Sequence, residues 1–100
     1  MVYSLSYELR STEMDYTPLF IFLEHGIGNG GIHVLRDCWW IYSQKELDIN
    51  ETCDEIRKRM SEKDHFFFNK LSRKEINGWL PSSTWSWFEK NNELNNTYKK

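Results

Sequence analysis

Few residues in this chain have the type and spacing to do chemistry, and the first of them is Glu8. It closes the stretch Tyr3–Arg10 (YSLSYELR), where Tyr3, Leu5, Tyr7 and Leu9 alternate with Ser4, Ser6 and Glu8. That period-two pattern describes a strand with one apolar face. The second face carries two hydroxyls and then a carboxylate. A carboxylate so placed faces solvent, or it points at a partner chain, a metal ion or a charged ligand. Arg10 and Arg36 are the candidates to pair with it. Lys70, Arg73 and Lys74 group near the end of a later strand and are the best phosphate contact on offer, although such groups more often form a solvated surface.

The remaining reactive side chains do not form a site by spacing. His25, His33 and His65 lack the intervals of a ligand set, and His25 suits a helix C-terminus, where the dipole favours a cation. Asp37, Asp64 and His65 lie in separate segments, and nothing in the sequence brings them together. Cys38 and Cys53 show neither metal nor redox spacing, so a reducing cytoplasm is expected and the sequons at Asn50 and Asn95 stay unused.

The run Gly26–Gly31 (GIGNGG) invites comparison with a phosphate-binding loop. Such loops lead from a strand into a helix whose N-terminal amides hold the phosphate. This run leads from a helix into a strand and is followed by no Lys-Ser/Thr pair, so a chain reversal is expected instead. Trp79, Trp85 and Trp87 have the rings to stack on bases. Trp85 and Phe88, three apart on a short helix, are better placed to lay that helix onto the domain.

These residues must be positioned by a small set of elements. Thr17-Pro18 is a helix start, with Thr17 as cap and Pro18 in the first turn, and the helix stops near His25-Gly26. Ile32–Tyr42 (IHVLRDCWWIY) is rich in strand formers and is divided by a tight link or bulge at Arg36-Asp37. Around Trp39–Tyr42 both strand faces are apolar, which demands cover on both sides of the sheet.

A second helix starts between Asp48 and Thr52, since Asp48-x-x-Glu51 and Thr52-x-x-Glu55 both fit a capping box. It extends to about residue 62. Ile49, Cys53, Ile56 and Met60 form its apolar stripe, with Cys53 as a small core residue. His65–Leu71 (HFFFNKL) is the last strand, apolar on both sides at its centre, and Ser82–Lys90 is a short final helix.

The order strand, helix, strand, strand, helix, strand predicts an α+β domain with the ferredoxin-like βαββαβ plan, two helices on one face of an antiparallel sheet, plus the short C-terminal helix. Residues 1–90 form that single domain, and 91–100 are a polar tail with too little apolar surface to fold. Leu5, Tyr7, Leu23, Ile56 and Met60 are expected in one core beneath the helices. Trp39 and Trp40 must point to opposite faces. The face away from the helices carries apolar strand centres that are costly in water, and a second copy of the chain is the simplest cover.

Composition agrees with a small globular domain. The chain has 100 residues, of which 39% are apolar, so its 16% of aromatic residues must supply much of the core. A formal net charge of −2 gives no global field to attract a polyanion, and no run approaches the length of a membrane span. The N-terminus enters a strand at once, without the order of a signal peptide.

Taken together, the segments SYELR, DCWWIY, DEIRKRM, DHFFFNKL and GWLPSSTWSWF resemble the small stand-alone relatives of CRISPR-associated protein two, the SinR-family proteins, over roughly residues 2 to 90. The resemblance implies a ferredoxin-like homodimer that binds nucleic acid or acts as an adaptor for a protein partner encoded nearby. It also implies an alternative, a metal-dependent endonuclease in which the acid ending the first strand of each subunit meets its mate across the dimer axis and binds Mg²⁺ or Mn²⁺. Glu8 stands at that position, with Arg10 near the scissile phosphate. The family pattern has Asp there, and the extra methylene of Glu displaces the oxygens in a site where magnesium tolerates little misplacement. No cofactor is expected unless that nuclease reading holds.

Overall fold

The computed structural model describes residues 1–92; residues 93–100, most of the predicted tail, lie outside the described residues. Four strands, β1 (Val2–Glu8), β2 (Gly30–Leu35), β3 (Cys38–Tyr42) and β4 (His65–Lys70), form one antiparallel sheet in the order β2-β3-β1-β4. Helix α1 (Thr17–Ile21) continues through a π-helical turn, Phe22–Gly26, and α2 spans Ile49–Arg57. A 3-10 turn at Arg73–Glu75 precedes α3 (Ser82–Asn91).

Alternation along β1 divides the protein into two layers. Tyr3, Leu5 and Tyr7 face α1 and α2, and they join Leu19, Leu23, Trp39, Ile41, Ile56, Met60 and Phe68 in one buried cluster. This is the core expected from the sequence. Leu5 stands opposite Trp39 on one side and Phe68 on the other. The Tyr3 and Phe68 rings stack with centroids 5.5 Å apart, and Trp39 Nε1 donates to the Tyr7 hydroxyl at 3.1 Å.

Arg36 and Asp37 form the predicted link between β2 and β3, and the pairing slips between His33 and Leu35. Val34 lies with Ile32 on the far side of the sheet, and Leu35 is exposed.

Two helix ends differ from the sequence expectation. Thr17 is the first helical residue rather than the cap, and Asp15 accepts its backbone N–H at 2.9 Å. That bond, with one from the Thr17 hydroxyl, holds the Asp15 carboxyl below its ordinary pKa. At α2 the choice falls on Asp48, whose Oδ1 accepts from Glu51 N at 2.9 Å. This helix ends at Arg57, short of residue 62, because Arg59 and Met60 bond back only three residues in tight turns.

The glycine run closes the turn from the first helix into β2. A side chain at Gly31 would run into the carbonyl oxygen of Leu23, so the helix backbone lies directly against the strand. Asn29 N donates to Tyr42 O at 2.7 Å, tying the loop to the neighbouring strand β3. The loop is a structural reversal, as the sequence indicated.

The largest correction concerns the far face. The sequence placed a second copy over it, but the chain itself covers Trp40. Segment 71–88 crosses this face, and α3 buries Phe88 against Val2 and Trp40. Trp40 meets Trp85 and Phe88 edge-on at centroid distances of 5.7 and 5.2 Å, and only 7% of it stays exposed. Asn91 ends α3, and Asn92 is buried.

Candidate functional site

Segment 71–88 covers the far face only in part. The end of β1 and the start of β4 stay open, because alternation places Ser6 and Glu8 there with their cross-strand partners Phe67 and His65. Phe67 is 67% exposed in mid-strand, although its neighbour Phe68 is buried on the helix side. It is one of the large apolar side chains left exposed among the described residues, with Ile21, Leu35, Ile49 and Trp79.

Glu8 is the predicted site residue that this surface does contain. Arg10 Nε donates to Glu8 Oε1 at 2.8 Å, with both side chains largely in solvent. An exposed pair of this kind contributes only about 0.2–1 kcal/mol. Of the two candidate partners, Arg10 is the one that the structure assigns.

Arg10 is itself held from beneath by Asp64, a buried acid that the sequence could not place. Asp64 Oδ1 accepts the Arg10 backbone N–H at 2.7 Å, and Oδ2 accepts Ser61 N at 2.7 Å. The Tyr16 hydroxyl donates to the same carboxylate at 2.7–2.8 Å. One side chain thus joins the exit of β1, the approach to α1 and the turn into β4. Burial pushes the Asp64 pKa up, but the three hydrogen bonds and the nearby Arg57 charge outweigh it and leave the carboxyl below its ordinary value. Burial and the bond to Asp64 push the Tyr16 phenol the other way. The only hint in the sequence is the turn-forming Ser61-x-x-Asp64 spacing.

The other predicted site residues are dispersed. Lys70 pairs with Glu46 at 3.2 Å. Arg73 is structural: its Nε donates to Glu89 at 2.6 Å, Nη1 to the Ile76 carbonyl at 3.2 Å, and the guanidinium lies 4.7 Å from the Trp85 ring centroid. Lys74 is exposed, with no ion pair among the described residues. Lys70 and Arg73 are thus each paired with an acid from another segment.

The histidines separate in the same way. His25 lies at the end of the π-helical turn, 3.5 Å from Glu24. His33 stacks on Trp39 at 4.8 Å and donates from Nε2 to the Arg36 carbonyl at 2.8 Å. His65 faces Glu8 across the strand pair, while Asp37 bonds through its carbonyl to Tyr7 N. Among the described residues, no three His, Cys, Asp or Glu side chains converge as a metal site.

Among the described residues no helix is long and apolar enough to cross a membrane. What the fold and surface define is a small α+β protein with a half-open antiparallel sheet. No family model matches the chain, and the comparisons with curated proteins and with solved structures return no significant similarity.

Proposed function

We propose that this chain is a homodimeric binding or adaptor module of the type formed by relatives of CRISPR-associated protein two, built on a ferredoxin-like fold. Support for the fold comes from the alternation of elements and from the strand order, in which β1 and β3 lie at the centre with β4 and β2 at the edges. The observation that carries the function is the open half of the far face, with Phe67 presented to solvent between Ser6 and Glu8. A second copy laid over this half gives the ring an apolar partner, and the assembled dimer then presents nucleic-acid or protein contacts. The two cysteines are free and pack in different clusters, which suits a reducing cytoplasm. Phe67→Asp should leave the fold intact and raise the dimer dissociation constant at least roughly tenfold, because it places an unpaired charge in the contact. Sedimentation velocity over a concentration series tests this, and an unchanged dimer would show that the open half is not the interface.

The second reading is a metal-dependent endonuclease with Glu8 supplied by both subunits. It rests on the exposure of Glu8 on the same open half. The pairing with Arg10 favours a structural role, so the purified protein should not cleave RNA or DNA with Mg²⁺ or Mn²⁺ in a Glu8-dependent way. Cleavage that disappears in Glu8→Gln would assign the carboxylate to catalysis. The same variant should change stability by no more than about 1 kcal/mol, as expected for an exposed ion pair.

A further inference from the structure

Trp79 is the one tryptophan that joins neither buried cluster. It is 100% exposed, whereas Trp39, Trp40, Trp85 and Trp87 all join the two buried clusters. Beside it lies a cavity of about 270 Å³ between the far face of the sheet and the segment 76–80. Val34, Cys38, Trp40, Ile76, Leu80 and Trp85 line most of it, Trp79 itself stands at its wall, and among the described residues no Asp, Glu, Lys or Arg lines it. Asn77 Oδ1 accepts Gly78 N at 2.8 Å, fixing the turn that holds Trp79 out, and Pro81 stiffens the exit.

A knob and a hole on one surface of one chain are the ingredients of a self-complementary contact, in which each copy inserts its own residue into the other. We infer that Trp79 of each subunit enters this cavity of a second copy and locks the dimer. The inference rests on the homodimer reading above and deepens it. The cavity adjoins the open half of the sheet at Cys38, whose Sγ lies 3.4 Å from Ser4 Oγ and 3.8 Å from Ser6 Oγ. Ser6 in turn stands opposite Phe67 on β4. That no cation among the described residues lines this wall argues against a nucleic-acid strand as the occupant, since phosphates require positive partners. Tryptophan is also the side chain most often found to dominate a contact of this kind.

Because Trp79 is 100% exposed and joins neither buried cluster, Trp79→Ala should fold with an unchanged melting temperature, which keeps the test clean. Sedimentation velocity of wild type and Trp79→Ala is paired with the rate at which a thiol reagent modifies Cys38, in a Cys53→Ser background. The expected result is a wild-type dimer with Cys38 protected, and a variant whose dimer is weakened roughly tenfold or more and whose Cys38 reacts faster. A variant that remains an equally tight dimer overturns the inference and leaves the dimer reading standing. A monomeric wild type removes both. Loss of binding to a fluorescent single-stranded oligonucleotide in Trp79→Ala, with wild type monomeric, would assign the cavity to a base instead.

Discussion

Truncating Leu5 or Ile56 to Ala is expected to cost about 2–5 kcal/mol. Both side chains are completely buried in the cluster between sheet and helices. Leu5 sits at the centre of β1, flanked by Trp39 and Phe68 on the adjacent strands. Neighbours of that size, held in the sheet ladder, cannot close over the space a leucine leaves, so the variant loses both transfer free energy and packing contacts. Ile56 is the buried contact of α2, near the end of a helix only nine residues long. Such a helix depends on tertiary packing rather than on its own propensity. Urea denaturation followed by tryptophan fluorescence measures the effect, and losses below about 1 kcal/mol at both positions would mean that the core lies elsewhere.

Removing the Asp64 carboxylate should cost about 2–4 kcal/mol at neutral pH, because Asp64→Ala strands the amide donors of Arg10 and Ser61 and the Tyr16 hydroxyl at once. The effect has a pH signature that a simple packing defect lacks. The folded-state pKa of Asp64 is lowered from that of the unfolded chain, so the native state favours the charged form. Its contribution is fully present above the unfolded carboxylate range, near pH 4, and disappears as the pH falls through the lower folded value. Wild type and Asp64→Asn should therefore differ most between pH 5 and 7, counted as roughly constant there, and should converge below about pH 4. A gap that does not change between pH 7 and pH 3 would show that Asp64 acts through packing alone.

Loss of Asp64 also releases Arg10, the partner of Glu8. The open half of the sheet is thus held in place by a buried residue that forms no part of the exposed surface.

Much of the architecture was legible in the sequence because it is written in local periodicity. The alternation of Tyr3, Leu5 and Tyr7 assigned one face of β1, and of the stripe Ile49, Cys53, Ile56 and Met60 the last three pack on the core, Met60 just beyond the end of α2, while Ile49 is left exposed. The apolar run at Trp39–Tyr42 correctly required cover on both sides of the sheet. The pair Arg36-Asp37 divided two strands, and the glycine run was recognised as a reversal by the order of its neighbours.

What supplied that cover was decided only in three dimensions. The polar stretch around residues 72–77 conceals the fact that the chain continues across the far face and lays Phe88 on Trp40, a contact 48 positions apart that leaves no periodic trace. The same holds for Asp64, whose three donors come from segments up to 54 residues away. Sequence pattern records which side of an element avoids water, because that preference acts on each residue in turn. It does not record which distant segment arrives to satisfy it, because that depends on loop paths and on the sum of all the packing. Glu8 shows both limits: its place at the open end of β1 was determined by alternation, and its pairing with Arg10 rather than Arg36 by the fold.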